Sequence, residues 1–269
     1  MKKIHLLLLL FPLFSIAQIG VSKAQVSEQI IKQIKKENVT VQKKLKKVKN
    51  ANKLYYSFMD ISQTLLSDLN NNEMYILDGM NIGYDLDLQS SNLPDTLSKR
   101  LNFFKTANVL VRGTGEGYSE LYFKPNYYYQ LFKNRVTPDL SEYLRITAID
   151  NQDVYAGDGA IGISLKQLGD RILVREKFIE KFPKSNLKSD VNTQLKEYLY
   201  DYFFGSENTK TISDGVFEKT VLKDFKLFIK QNSDSKTAKM INNMIRYLKK
   251  YKSRELLEKN FDKEILIIK

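Results

Sequence analysis

The sequence predicts a mainly α-helical protein, with a C-terminal half built of helix hairpins and one small β-hairpin in the middle of the chain. Three observations carry this prediction. Apolar residues recur at three- and four-residue spacing over most of the 269 residues, the period of a helix with one packed face. Residues 108–123 depart from it, with two short apolar runs around a glycine-rich turn. Past Gly169 only the helical period is found.

The first element reads as an export signal. Lys2 and Lys3 precede an apolar run from Leu6 to Ile16, interrupted by Pro12 and Ser15. Such a run suits a signal-peptide core and is shorter than the about 20 residues needed to span a membrane. Small residues at the right spacing place cleavage after Ala17 or after Ala24. No cysteine follows the run, so a lipid-modified cysteine is not available as an anchor. No later stretch has the length of a transmembrane helix. The sequence therefore predicts a periplasmic or secreted protein with no transmembrane segment after signal removal.

Residues 26–69 read as helix. Ile30, Ile31 and Ile34 give one apolar stripe, Val41, Leu45 and Val48 continue it, and Leu54, Phe58, Ile61, Leu65 and Leu69 strengthen it. Asn70, Asn71 and Asn72 carry turn chemistry and predict the end of that helix. Residues 74–92 are turn-rich. Pro94 and Asp95 open a helix with Leu97, Leu101, Phe104 and Ala107 on one face. The hairpin follows, then a helix from Pro125 with Tyr128, Leu131 and Phe132, and another with Pro138 in its first turn. Gly157, Gly159 and Gly162 mark a tight junction.

Beyond the junction, Phe178, Ile179, Phe182, Val191, Leu195, Tyr198 and Leu199 predict two helices joined at Pro183. Phe225, Phe228, Ile229, Ile241, Ile245 and Leu248 predict two more, joined near Ser233. The pairs resemble each other at an offset of fifty residues: Phe178 and Ile179 match Phe228 and Ile229, Ser185 matches Ser235, and Asn192 matches Asn242. This is the pattern of a stacked helical repeat. The tetratricopeptide signature is absent. The domain organisation predicted is a signal peptide at 1–24, a lysine-rich helical arm at 25–53, a mainly helical domain with the hairpin at 54–164, and stacked helix hairpins at 165–269.

Composition excludes several chemistries. The chain has no Cys, no Trp and one His, His5, within the predicted signal. That removes disulfides, thiol nucleophiles, imidazole-based triads and Cys- or His-ligated metals from the mature protein. Gly113 to Gly117 spell Gly-x-Gly-x-Gly, but a dinucleotide site needs a helix after the glycines, and the following residues read as strand. Residues 158–163 resemble the Gly-Ala-x-Gly-Leu block of lytic transglycosylases over six positions. Where that family places its catalytic glutamate, about a dozen residues upstream, this chain has Thr147. No calcium loop of the Asp-x-Asp-x-Asp-Gly type occurs. No cofactor or metal is expected.

Charge gives the functional expectation. Lys and Arg number 43 against 31 Asp and Glu, and the excess survives signal removal. Nine lysines and one glutamate lie between Lys32 and Lys53. Lys35, Lys36, Lys43, Lys44, Lys46, Lys47 and Lys49 are candidate contacts for an anionic polymer; the plainer reading is a solvated helix face. Lysine outnumbers arginine 35 to 8, which disfavours specific nucleic-acid recognition, since bidentate phosphate and guanine contacts use Arg. The expectation is an exported, non-catalytic binding or scaffold protein of a bacterial-type cell envelope, partnered by an envelope protein. Binding of anionic envelope polymers is the alternative. A carboxylate-dependent glycan hydrolase is a second alternative, drawing on Glu116, Glu120, Glu142, Asp150, Asp153 and Asp158.

Overall fold

The computed structural model describes residues 22–79, 95–115, 118–157 and 159–268. It is mainly helical, with ten helices and four small antiparallel strand pairs among the described residues. No helix among them is long and apolar enough to cross a membrane. One hydrophobic cluster runs from Ile31 to Ile265.

Helix α1 (Lys23–Leu45) begins with a capping box: Ser22 Oγ accepts from Gln25 N–H, and Gln25 reaches back to Ser22 N–H. Its apolar positions Ile31, Ile34, Val41 and Leu45 are buried against α2 (Asn52–Gly79). The two run antiparallel, since Asn72 near the end of α2 donates to Lys23 O at 2.7 Å at the start of α1. Helix α3 (Asp95–Lys105) is tied to both by a buried carboxylate. Glu73 is wholly buried, accepts from Ser27 of α1, and pairs with Arg100 of α3.

The hairpin lies where the sequence places it. Strand β1 (Val109–Gly115) pairs antiparallel with β2 (Tyr118–Phe123), with a register shift between Gly113 and Gly115. Leu121 and Phe123 face the core beside α2. Helices α4 (Tyr127–Phe132) and α5 (Pro138–Asp150) follow.

Strands β3 (Ala156–Gly157) and β4 (Ala160–Ile161) form a two-residue pair at the glycine junction. Helix α6 (Leu165–Lys181) packs against α7 (Lys188–Phe204), and helix α8 (Lys219–Gln231) against α9 (Lys236–Tyr251). The chain closes with α10 (Arg254–Ile268), beside α9. Between α7 and α8 lie β5 (Gly205–Ser206) with β6 (Thr209–Lys210), and β7 (Ile212–Ser213) with β8 (Val216–Phe217).

Two expectations are corrected here. The asparagines at 70–72 do not end a helix: α2 continues through them to Gly79, because the side chains of Asn70 and Asn72 bond to neighbouring elements. Nor is the mid-chain hairpin alone. The strand pairs between Gly205 and Phe217 lie where only helical periodicity was expected, and two-residue strands are too short to carry a period of two. Gly205 makes that turn possible at φ +69, where a Cβ would fall 1.9 Å from Thr209 O.

Charged side chains fasten the helices. Arg175 of α6 is almost fully buried. It pairs with Asp150 of α5, donates to Gln194 of α7 at 3.1 and 3.2 Å, and covers the Tyr198 ring at 4.3 Å. Its neighbour Glu176 caps α9 from outside, accepting from Lys236 N–H at 2.5 Å and from Thr237 N–H at 3.0 Å. A buried charge is tolerable only when met in this way.

Candidate functional site

The lysines singled out in the sequence share one environment. Lys35, Lys36, Lys43 and Lys44 on α1 are exposed, as are Lys46 at its C-terminal cap and Lys47 and Lys49 beyond it. At 100° per residue, Lys32, Lys36, Val39 and Lys43 fall on the side of α1 opposite the buried Ile31, Ile34, Val41 and Leu45, with Lys35 on the flank between the two. Packing of the apolar stripe on α2 therefore turns the basic stripe outward. Lys32 stands 3.8 Å from Glu28. Among the described residues, no carboxylate lies within ion-pair distance of the other seven. The result is a concentrated positive surface with the half-exposed Val39 in its midst and Glu37 as the one carboxylate in the stretch from Lys32 to Lys53.

The carboxylates considered for glycan hydrolysis are in a different state. Glu120 is paired with Arg112 across the hairpin at 2.6 Å. Glu142 is paired with Arg145, whose hydrogen bond holds its carboxyl below the usual range. Asp150 is enclosed by Arg171 and Arg175, and Asp153 accepts from Gln167 at 3.1 Å. Glu116 and Asp158 lie outside the described residues, as does Ala17. Ala24 lies in the first turn of α1.

The tyrosines divide. Tyr127 is buried and stacks on Phe123 at 4.7 Å. Tyr128 shares a 2.7 Å hydrogen bond with Ser62. Tyr118 is 58% exposed.

Two hollows were not legible in the sequence. One, of about 630 Å³, lies between α2 and the outer edge of β2. The other, of about 650 Å³, lies along α7 between Tyr155 and Tyr200. There Tyr155 donates to Asp201, and burial together with that bond pushes its hydroxyl well above the usual range. Asp201 is thus occupied, which leaves Glu197 as the hollow's other carboxylate. Both depend on partners about fifty residues apart in the chain, so no local motif announces them.

No family model, curated protein or solved structure matches this chain.

Proposed function

We propose that the protein is an exported, non-catalytic binding protein of a bacterial-type cell envelope, and that the outer face of α1 is its contact surface for an anionic polymer. The basic N-terminus, the apolar run and the small residues before Gln18 and Gln25 support export. The observation that carries the contact surface is the set of exposed lysines from Lys35 to Lys49, none of them within ion-pair distance of a carboxylate among the described residues. Exposed ammonium groups act as point charges, which suits a polymer bound by charge density and not by a fixed pattern of hydrogen bonds. From Lys32 to Lys43 the stripe is about 17 Å long at 1.5 Å per residue.

In the C-terminal half we take residues 165–204 and 219–251 as two copies of one helix-hairpin unit. Phe182 and Asn232, fifty residues apart, end α6 and α8 with φ/ψ of −126/57 and −136/44. Each donates to a Phe four residues back at 2.9 Å, and each accepts from a Ser three residues on at 3.0 Å. That likeness also supports a second reading, a scaffold that engages an envelope protein through these helices. A glycan hydrolase has less support, because Glu120, Glu142 and Asp150 are all engaged by arginines.

Binding of the mature protein to purified lipopolysaccharide, followed by sedimentation across a salt series, tests the proposal. The wild type should bind with a steep loss between low and high salt, as screening shortens the range of exposed charges. A variant with Lys35, Lys36, Lys43 and Lys44 changed to Glu should bind at least tenfold more weakly at low salt while melting as the wild type does. Undiminished binding by that variant would remove α1 from the interface. A stoichiometric envelope protein retained through a high-salt wash by wild type and variant alike would favour the scaffold reading.

A further inference from the structure

The hollow between α2 and β2 has a chemistry unlike that of the lysine face. One wall is a stripe of α2 where Gln63, Ser67 and Asn71 succeed each other at four-residue intervals, all exposed. They form polar rungs about 6 Å apart. The other wall is the outer edge of β2. Leu121 gives both its main-chain groups to Asn70, so by the alternation of an antiparallel ladder Ser119 and Phe123 also turn theirs to this side. The Ser119 hydroxyl is buried without a partner, a state that native structures rarely leave unexplained. At the rim Arg112 is neutralised by Glu120 at 2.6 Å and lies over the Tyr122 ring at 4.6 Å. The exposed Tyr118 ring stands beside them.

We propose that this groove binds an uncharged oligosaccharide of two or three rings. Carboxamides and hydroxyls each carry both a donor and an acceptor, matching sugar hydroxyls that also do both. Ammonium groups only donate and carboxylates only accept; the groove's Arg112 and Glu120 are spent on each other, which leaves the exposed Lys124 as the other charged side chain among the described lining residues. The open tyrosine ring offers an apolar platform with a polar tip, against which the C–H face of a pyranose packs. A volume of about 630 Å³ lies within the range of small-ligand sites. An extended peptide added to the β2 edge would be the other occupant of such a groove. Asn70 stands against it, since its carboxamide fills the middle position of the row that an added strand would pair with. Glu120 is the one carboxylate among the described lining residues and is engaged by Arg112, whereas glycoside hydrolysis uses two, so the assignment is to binding.

Titration calorimetry of the mature protein with chitotriose, cellotriose and maltotriose tests the proposal, with a strand-forming Thr-Val repeat peptide as comparison. At least one trisaccharide should bind saturably. Ser67→Ala combined with Asn71→Ala, two exposed residues of that stripe, should weaken it at least tenfold with an unchanged melting temperature. Reversal of the α1 lysines should leave it unaltered, which separates this site from the proposed polymer surface. Failure of all three sugars to bind, binding indifferent to the double variant, or binding of the peptide instead would overturn the assignment.

Discussion

The side-chain amide of Asn70 lies against Leu121 as a peptide unit of a third strand would. Its Oδ1 accepts from Leu121 N–H at 2.7 Å, and its Nδ2 donates to Leu121 C=O at 2.8 Å. A helix side chain thus closes part of the edge of a two-stranded sheet, and exposed strand edges invite unwanted pairing.

Asn70→Leu leaves both main-chain groups of a buried residue unmet, so a loss of roughly 2 kcal/mol is expected in denaturant unfolding. Asn70→Asp is the sharper test. The introduced carboxylate accepts from the N–H but faces the C=O without a proton to donate. The folded state then favours the protonated form, which raises that group's pKa in the folded protein. Its stabilising contribution is present at low pH and is lost as pH rises through the folded value. Relative to wild type, the variant should therefore be least destabilised near pH 4 and most near pH 7. A pH-independent difference between the two proteins would show that the paired bonds contribute little.

Asn70 also shows where sequence reading stops. The helices were legible wherever one apolar face repeats: Leu101 and Phe104 in α3, Leu140 and Leu144 in α5, and Ile241, Met244 and Leu248 in α9 are buried at helical spacing. A run of three asparagines reads locally as a turn because short amides compete with the helix for main-chain bonds. In the fold Asn70 is drawn to Leu121, Asn72 to Lys23 and Ser27, and the following Glu73 to Arg100. Those partners lie 27 to 51 residues away, beyond any periodicity window.

The same contrast holds for the candidate sites. The lysine face was legible, because it occupies the helical positions that the apolar stripe of α1 leaves over. The saccharide groove was not: Gln63, Ser67 and Asn71 are ordinary surface residues until β2 is set beside them. Arg175 and Glu176 were equally hidden, as charged residues of α6 whose burial is made tolerable by Asp150, Gln194, Lys236 and Thr237.

The capping box of α1 discriminates between the two cleavage positions on the proposed export route. Cleavage after Ala24 removes Ser22 and Lys23, and with them the cap on Gln25 N–H and the carbonyl that Asn72 bonds at 2.7 Å. Cleavage after Ala17 keeps both. The intact mass of protein recovered from the envelope should therefore correspond to a chain beginning at Gln18. Consistently, Ser22→Ala in that mature form should cost about 1 kcal/mol of stability. A mass beginning at Gln25 would show that the folded protein does without the cap.

Buried phenols should set the alkaline limit of the fold. Burial pushes the hydroxyls of Tyr55, Tyr127 and Tyr202 well above their ordinary value near 10. Tyr128 rises to about 12, burial outweighing its bonds with Ser62 and Gln63. Each of these groups keeps its proton in the folded state after the unfolded chain has released it. Their contribution to stability is thus complete below about pH 10 and falls as pH rises through the folded values. Tyrosinate absorbance from this set should therefore appear together with loss of the helical circular dichroism signal above pH 10, in one transition. Tyr127 allows a direct check, because its buried hydroxyl has no partner. Tyr127→Phe removes a desolvated donor and one titrating group while keeping the ring stacked on Phe123. It should be neutral or stabilising by up to about 1 kcal/mol at pH 7, and it should move the alkaline midpoint upward. Gradual ionisation of all tyrosines near pH 10 with the helical signal intact would mean that water reaches these rings in the folded protein, against the enclosed core they form here.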